Sequence, residues 1–134
     1  MAERAEGRNH AERVLGHLRI QNKPLSAYEL LERLRAEGIT AATTVYRALD
    51  KLLADGRVHR IESLNAWMAC CDPSHAETPV FEICVDCGAV SEHFEARFAH
   101  DIAALSKRTG FTPDRSVIEI HGRCGACLAD RKTA

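Results

Sequence analysis

Apolar residues recur at helical spacing in three stretches of the first half of the chain. The first stretch predicts a helix over about residues 9–21. Ser26 and Glu29 stand three residues apart ahead of a run of leucines, the pattern of a capping box that opens a second helix. A third helix begins near Thr43, and Gly38 and Gly56 are placed to end the second and third helices. The apolar stripes consist of Ala11, Val14, Leu15 and Leu18, then Leu30, Leu31 and Leu34, then Val45, Leu49, Leu52 and Leu53.

Two short strand-like runs follow the third helix. Residues 57–62 and 66–70 are separated by Ser63, Leu64 and Asn65, which predicts a β-hairpin. Three helices followed by a hairpin, with a short turn between the second and third helices, is the order of a winged helix-turn-helix. In that arrangement the third helix enters the major groove of DNA and the hairpin approaches the backbone.

The second half of the chain predicts a small α+β unit. Residues 80–85 and 89–94 are strand-like and flank a turn at 86–88, and residues 117–121 alternate as a third strand. We expect a three-stranded antiparallel sheet. An amphipathic helix between the second and third strands ends near Gly110, and its apolar positions are Phe94, Phe98, Ile102 and Leu105. The unit has so little apolar mass that we expect it to need a metal and a partner subunit.

These elements divide the chain into two domains. We expect a winged helix-turn-helix over residues 1–74 and the small α+β unit over residues 80–134. The fold class is therefore α+β. Residues 1–65 carry eleven Lys and Arg against nine Asp and Glu, and residues 66–134 carry seven against ten. This asymmetry is compatible with a DNA-facing half despite the net charge of -1, because local charge sets the affinity for phosphate.

Composition favours a cytoplasmic address. No stretch reaches the ~18 apolar residues that a membrane span needs, and the first residues lack the apolar core of a secretory signal. We therefore expect no membrane association. Disulfides are rare in the cytoplasm, so the six cysteines point to metal or redox chemistry.

Four of the cysteines form two pairs with the spacing of a structural zinc site. Cys84 and Cys87 are followed by Gly88, which permits the tight turn that points both sulfurs inward, and Cys124 and Cys127 supply a second pair. Four thiolates make a closed tetrahedral site. A redox pair is the rival interpretation, but that motif opens a helix after a strand and does not usually occur twice.

The outward face of the third helix is a candidate DNA-reading surface. With the apolar stripe turned inward, its polar residues point outward: Thr43, Thr44, Tyr46, Arg47 and Lys51. Thr hydroxyls and Lys bind phosphates, and the guanidinium of Arg reads guanine bidentately. The alternative is an ordinary solvated helix face, because amphipathic helices are common.

The combination of these motifs resembles the ferric uptake regulator family of metal-sensing repressors. The resemblance rests on residues 44–49 (TVYRAL), on Cys84-x-x-Cys87-Gly88 and on Cys124-x-x-Cys127, and it extends from about residue 11 to 128. Further matches at residues 26–28, 58–59 and 117–122 are most similar to its zinc uptake regulator branch. The resemblance implies a winged-helix DNA-binding domain over residues 1–74, a hinge at about residues 71–79 and a dimerisation domain over residues 80–134. It also implies binding to palindromic operators.

The resemblance also implies a second, regulatory metal site. The matching residues are His59, Cys70, His75 and Glu92. Two imidazoles, a thiolate and a carboxylate suit tetrahedral zinc. Read without the family, a histidine in a linker is usually solvated and a cysteine on a strand is usually a small core residue. The iron-sensing branch carries a histidine-rich run where this chain has a single histidine at residues 73–78, and a thiolate ligand favours a softer metal than iron.

The resemblance implies specific DNA contacts as well. Tyr28 and Arg47 match base-contacting positions of the family, and Tyr46 matches a DNA-contacting position. The prediction is a non-enzymatic, zinc-responsive repressor that binds operator DNA as a homodimer, without a small-molecule substrate. It holds one structural and one regulatory zinc ion per subunit. The alternatives are a sensor of iron, manganese, nickel or peroxide from the same family, a zinc-ribbon interaction adaptor, and a thiol-disulfide enzyme.

Overall fold

The computed structural model describes residues 2–21, 23–70 and 78–133. The chain separates into two compact units, Met1–Pro73 and Ser74–Ala134. Among the described residues, no helix combines the length and the apolar character that crossing a membrane would require.

Three helices and a hairpin make up the first unit. The helices are α1 (Ala2–Gln21), α2 (Ala27–Leu34) and α3 (Ala42–Ala54). The hairpin pairs β1 (Val58–Ile61) with β2 (Ala66–Ala69) in antiparallel register. This order confirms the predicted winged helix-turn-helix.

The helix α1 begins seven residues before the predicted start at residue 9. Residues 2–8 are mostly Ala, Glu and Arg, which have high helix propensity but form no apolar stripe. A boundary taken from hydrophobic periodicity therefore falls too late.

The predicted signals at the ends of α2 and α3 are confirmed. The backbone N–H of Glu29 donates to Ser26 Oγ at 3.1 Å, so Ser26 caps the start of α2. After α2 a 3-10 turn (Arg35–Glu37) leads into Gly38, whose φ of 88° lies in the left-handed region. Gly56 has a φ of 72° just after α3.

One core joins the three helices to the hairpin. On α3 the buried positions are Val45, Ala48, Leu49 and Leu52, whereas Leu53, which the predicted stripe includes, is only partly buried. The remaining core residues come from α1, α2, the segments on either side of α2 and the hairpin: Ala11, Val14, Leu15, Leu18, Leu25, Ala27, Leu30, Leu31, Leu34, Ile39, Val58 and Trp67.

The second unit is built on a three-stranded sheet in the order β4-β3-β5. Its strands are β3 (Pro79–Cys84), β4 (Val90–Phe94) and β5 (Ile118–Gly122). The hairpin of β3 and β4 is antiparallel, but β5 pairs with β3 in parallel, so the prediction of an all-antiparallel sheet is wrong. A long connection that includes a helix can return the chain for parallel pairing, and the alternation within a strand does not reveal its direction.

Two helices complete this unit. The predicted amphipathic helix is α4 (Ala96–Thr109), which ends at Gly110 with a φ of 74°. A last helix, α5 (Gly125–Thr133), is not predicted, because it is short and has no clear apolar stripe. The buried residues of this unit, among those described, all belong to β3: Pro79, Val80, Phe81, Ile83 and Cys84.

Candidate metal centre and nucleic-acid interface

The fold brings the four paired cysteines together. Cys84 ends β3 and Cys87 lies in the following turn, which Gly88 closes with a φ of 75°. Cys124 precedes α5 and Cys127 lies in its first turn. The four Sγ atoms all lie within 4.8 Å of one another.

The sulfur separations match those of a zinc tetrahedron. The Sγ atoms of Cys84 and Cys127 are 3.7 Å apart, and those of Cys87 and Cys124 are 3.8 Å apart. Four sulfurs at about 2.3 Å from a central zinc ion are separated by about 3.8 Å along each edge of the tetrahedron. The cluster therefore has both the donor set and the spacing for a closed zinc site.

Backbone amides make this cluster a favourable place for thiolates. The N–H of Cys124 donates to the Sγ of Cys84 at 3.3 Å. Hydrogen bonds from the backbone of Cys124 and Cys87 lower the pKa of Cys84 to about 6. Hydrogen bonds with Cys124 and Cys84 instead raise the pKa of Cys127, so the metal-free cluster retains protons that a metal ion would displace.

An acidic residue between the first two cysteines holds the second cysteine segment by ion pairs. The carboxylate of Asp86 lies 3.2 Å from Arg123 Nε, next to Cys124. It also lies 3.4 Å from Arg131 Nη2, on α5. These two ion pairs tie the turn that carries Cys87 to both ends of the segment that carries the other pair.

Two of the predicted regulatory ligands lie together on the hairpin of the first unit. His59 on β1 pairs with Met68 on β2, and the N–H of Cys70 donates to the carbonyl of Arg57 at 2.9 Å. A ring nitrogen of His59 and the Sγ of Cys70 lie within 4.8 Å of each other. Within the second unit Glu92 is half-buried on β4, opposite Phe81. The fourth predicted ligand, His75, lies outside the described residues.

The predicted DNA-reading residues lie on the surface of the first unit. Tyr28 on α2 is 69% exposed and Tyr46 on α3 is 46% exposed. Thr43, Arg47 and Lys51 are exposed as well, while Thr44 is half-buried.

An open groove of about 660 Å³ adjoins this face of α3. It is lined by Thr44, Arg47 and Lys51 together with Arg8 and His10 of α1. Neither α1 residue was predicted as part of this surface: Arg8 precedes the apolar pattern of the first helix, and His10 lies within the predicted helix but belongs to no motif.

Comparison with known proteins places the chain in a family. No protein-family model matches it. The zinc uptake regulation protein of Escherichia coli (strain K12) is 41% identical over 119 residues, which cover 86% of this chain and 68% of that protein. The zinc uptake regulation protein of Shigella flexneri matches with the same identity and coverage. The chain belongs to the ferric uptake regulator family, in its zinc uptake regulator branch.

Solved structures of regulators of this branch have the same fold. A zinc uptake regulator complexed with zinc and DNA superimposes with a TM-score of 0.87 at 38% identity, covering 92% of this chain and 83% of that one. Holo XcZur superimposes with a TM-score of 0.82 at 39% identity, covering 90% and 84% of the two chains. The ferric uptake regulator from Francisella tularensis with iron reaches a TM-score of 0.59 at 21% identity, which shows a shared fold alone. The predicted family and branch are thus confirmed.

Proposed function

We propose that this zinc uptake regulator family member is a zinc-responsive transcriptional repressor, which binds palindromic operator DNA as a homodimer in the cytoplasm. One observation carries the proposal. Over 92% of its length the chain superimposes on a zinc uptake regulator complexed with zinc and DNA, at 38% identity. That agreement extends over both the winged helix and the unit that holds the cysteine cluster. A thiol-disulfide enzyme and an interaction adaptor are not favoured, since the relatives are regulators.

The four-cysteine cluster serves as the structural zinc site in this proposal. A structural zinc contributes its binding free energy to folding, because the site does not exist in the unfolded chain. The second unit needs such a contribution, since its fully buried described residues are confined to β3. Cys84, Cys87, Cys124 and Cys127 would hold the ion and join the end of β3 to the start of α5.

In this proposal a second set of residues senses zinc. His59 and Cys70 lie together on the hairpin and supply one imidazole and one thiolate. We propose that His75 and Glu92 complete this ligand set, as the family resemblance implies. A set of two imidazoles, a thiolate and a carboxylate is suited to zinc.

The exposed polar face of the first unit reads the operator. Arg47 presents its guanidinium on α3 and Tyr28 is exposed on α2, where both can reach base edges. Thr43, Thr44 and Lys51 provide phosphate contacts, and Tyr46 provides a thymine or phosphate contact. Phosphate contacts position the protein, so their loss should weaken binding to all sequences alike.

The apolar face of α4 is suited to a partner subunit. Phe98 and Leu105 on this helix are 42% and 49% exposed, and no described residue of α4 is fully buried. Side chains of this size rarely lie in water as a continuous stripe unless another surface covers them. A second copy of the chain would cover the stripe and bring two winged helices to one palindromic site.

Regulation then follows from a change in the population of hinge angles. Without regulatory zinc the winged helices of a dimer sample many hinge angles, and few of these place both α3 helices one DNA turn apart. When His59, Cys70, His75 and Glu92 share one ion, the hinge is restricted to competent angles and the apparent affinity for operator rises. By linkage, operator DNA tightens zinc binding by the same factor.

The decisive experiment titrates operator binding against buffered free zinc, iron, manganese and nickel, with metal counted per subunit. The DNA is a palindrome selected from a random pool by the zinc-loaded protein. Zinc should induce binding at the lowest free concentration, with two ions per subunit. Binding that responds better to another metal would contradict zinc sensing.

Two variants test zinc sensing and base recognition separately. Cys70→Ser should abolish the zinc response of operator binding while one zinc ion per subunit remains. Arg47→Ala should remove sequence preference while leaving the zinc content unchanged. If Arg47→Ala binds the selected palindrome as the parent chain does, the assignment of Arg47 as a base reader is wrong.

A further inference from the structure

The only tryptophan of the chain, Trp67, lies at the junction of three parts of the first unit. It is on β2 and only 5% of its surface is exposed. Its ring contacts α3 and the opposite strand of the hairpin, and its backbone contacts the segment that leads into α2. A large aromatic residue in this position can fix the relative placement of the elements around it.

The first contact is with the proposed DNA-reading face. The rings of Trp67 and Tyr46 form a T-shaped pair, with centroids 6.0 Å apart and an interplanar angle of 75°. Tyr46 nevertheless remains 46% exposed. One part of the Tyr46 ring is therefore held by protein while the rest stays available to a ligand.

The second contact joins Trp67 to the start of the helix-turn-helix motif. Leu25 N–H donates to the Trp67 carbonyl at 2.9 Å, and Trp67 N–H donates to the Leu25 carbonyl at 2.8 Å. This isolated antiparallel bridge lies immediately before Ser26, the cap of α2. Tyr28 follows in the first turn of that helix.

The third contact holds the indole from the opposite strand. The guanidinium carbon of Arg60 lies 5.5 Å from the centroid of the Trp67 ring, within the range of a cation–π interaction. Arg60 is itself fixed by Asn65 Oδ1 at 2.8 Å and by the carboxylate of Glu62 at 3.3 Å. The tip of the hairpin thus restrains Arg60, and Arg60 restrains the indole.

We infer that Trp67 is a positioning residue for operator recognition, which sets the orientation of Tyr46 and ties the hairpin to both helices of the motif. The inference rests on the proposed function, in which α3 reads DNA. Trp67 is almost entirely buried, so the inference assigns it no direct contact with DNA. Its effect reaches the operator through Tyr46, which the inference takes to contact a thymine methyl. Loss of Trp67 should therefore alter specific binding far more than binding to arbitrary sequence.

The test compares Trp67→Leu with Trp67→Phe, which keeps an aromatic ring although its side chain is smaller than that of Trp. Affinity is measured for the selected palindrome and for a random duplex of equal length, at fixed zinc and salt. Trp67→Leu should weaken palindrome binding roughly threefold to tenfold, the range expected for an aromatic pair. Trp67→Phe should recover most of that loss. Random-duplex affinity and its salt dependence should change less than twofold, because phosphate contacts remain.

A double-mutant cycle with Tyr46→Ala asks whether Trp67 acts through Tyr46. In the Tyr46→Ala background, Trp67→Leu should have little further effect on palindrome binding. Additive losses, or equal losses for both ligand duplexes, would show that Trp67 only stabilises the core and would overturn the inference. If Trp67→Leu does not fold, acrylamide quenching of the native Trp67 in the Tyr46→Ala variant decides the inference instead.

Quenching of tryptophan fluorescence by acrylamide tests the contact without DNA. Tyr46→Ala should make the indole more accessible to acrylamide, while Tyr28→Ala, on the neighbouring helix, should not. Unchanged quenching in Tyr46→Ala would overturn the inference. If the parent chain shows no zinc-dependent selection of a palindrome, the proposed function is wrong, and so is a role for Trp67 in operator recognition. The quenching result would still show whether the Tyr46 ring shields the indole of Trp67.

Discussion

The two units of this chain are stabilised by different means. In the winged-helix unit, apolar residues from α1, α2, α3 and the hairpin meet in one core. In the second unit, the fully buried residues that the structure describes lie on β3, and the large side chains of α4 remain partly exposed. The first unit can therefore rely on hydrophobic burial, whereas we expect the second to depend on the cysteine cluster and on a partner. Small domains that lack a sufficient core commonly use a metal in this way.

Loss of one cysteine of the cluster should have the largest effect and should fall on the second unit alone. Cys87→Ser removes one of four thiolates from a site whose zinc contributes on the order of 10 kcal/mol in comparable small domains. Hydrogen exchange measured segment by segment should show β3, β4 and β5 losing protection while α1 and α3 retain theirs. Cys70→Ser is the matched control, because it removes a thiolate that is not in the cluster.

A well-protected, dimeric Cys87→Ser protein would contradict the division of roles between the two units. It would mean that packing alone holds the second unit together.

A core truncation in the first unit should have the next largest effect and should spare the metal centre. Leu49 is fully buried on α3, so Leu49→Ala should lower the free energy of unfolding of this unit by about 2–5 kcal/mol. Leu53→Ala on the same helix should cost less, since Leu53 is only partly buried. Urea unfolding followed through Trp67 fluorescence measures both. A loss of zinc in Leu49→Ala would show that the two units are less independent than their cores suggest.

The ion pairs of Asp86 should have a moderate effect, on the rate at which zinc leaves the cluster. Asp86→Asn removes the carboxylate that holds Arg123 and Arg131, so a chelator should extract zinc a few times faster. Glu82→Gln removes a carboxylate of the same unit whose partner is His93, at 2.8 Å, and should leave the rate unchanged. Equal rates in Asp86→Asn and the parent chain would show that the cluster needs no such support.

The smallest effect should come from a surface ion pair of the first unit and should depend on pH. Arg57 Nη1 lies 2.6 Å from Glu12 Oε1 and lowers the pKa of that carboxyl from its usual range, chiefly through their hydrogen bond. A carboxyl with a lowered pKa stabilises the folded state above its unfolded pKa of about 4.3, and this contribution is lost as the pH falls through the folded value. The difference in unfolding free energy between the parent chain and Glu12→Gln should therefore be constant near neutral pH and shrink below about pH 4. A difference that persists in acid would exclude this ion pair as its cause.

Hydrophobic periodicity predicted the elements that have a strong apolar stripe, and it failed where no stripe exists. The helices α2, α3 and α4 have buried or apolar faces and local capping signals such as Ser26 and Gly110, so short-range pattern is enough to locate them. The start of α1 and the whole of α5 are polar or short, and pattern does not mark them. Arg8, which lines the groove beside α3, lies in such a segment and was missed for the same reason.

The two candidate metal sites also differ in how far the local sequence pattern predicts them. The spacing of two Cys-x-x-Cys motifs is itself typical of a zinc site, so the cysteine cluster was predictable from the sequence. His59 and Cys70 share no local motif, and only the family resemblance drew attention to them. Their proximity arises because β1 and β2 pair, which brings residues eleven positions apart in the sequence to within 4.8 Å.

The sequence by itself therefore determined the order of the winged-helix elements, the ends of the central helices and the two Cys-x-x-Cys pairs, since each helix end and each pair depends on neighbours within one or two turns of chain. The tertiary structure decided the parallel pairing of β5 with β3, the meeting of Asp86 with Arg123 and Arg131, and the placement of Tyr46 against Trp67. These contacts join residues from about 20 to 45 positions apart, and burial, hydrogen bonding and charge act on them only once the chain has folded.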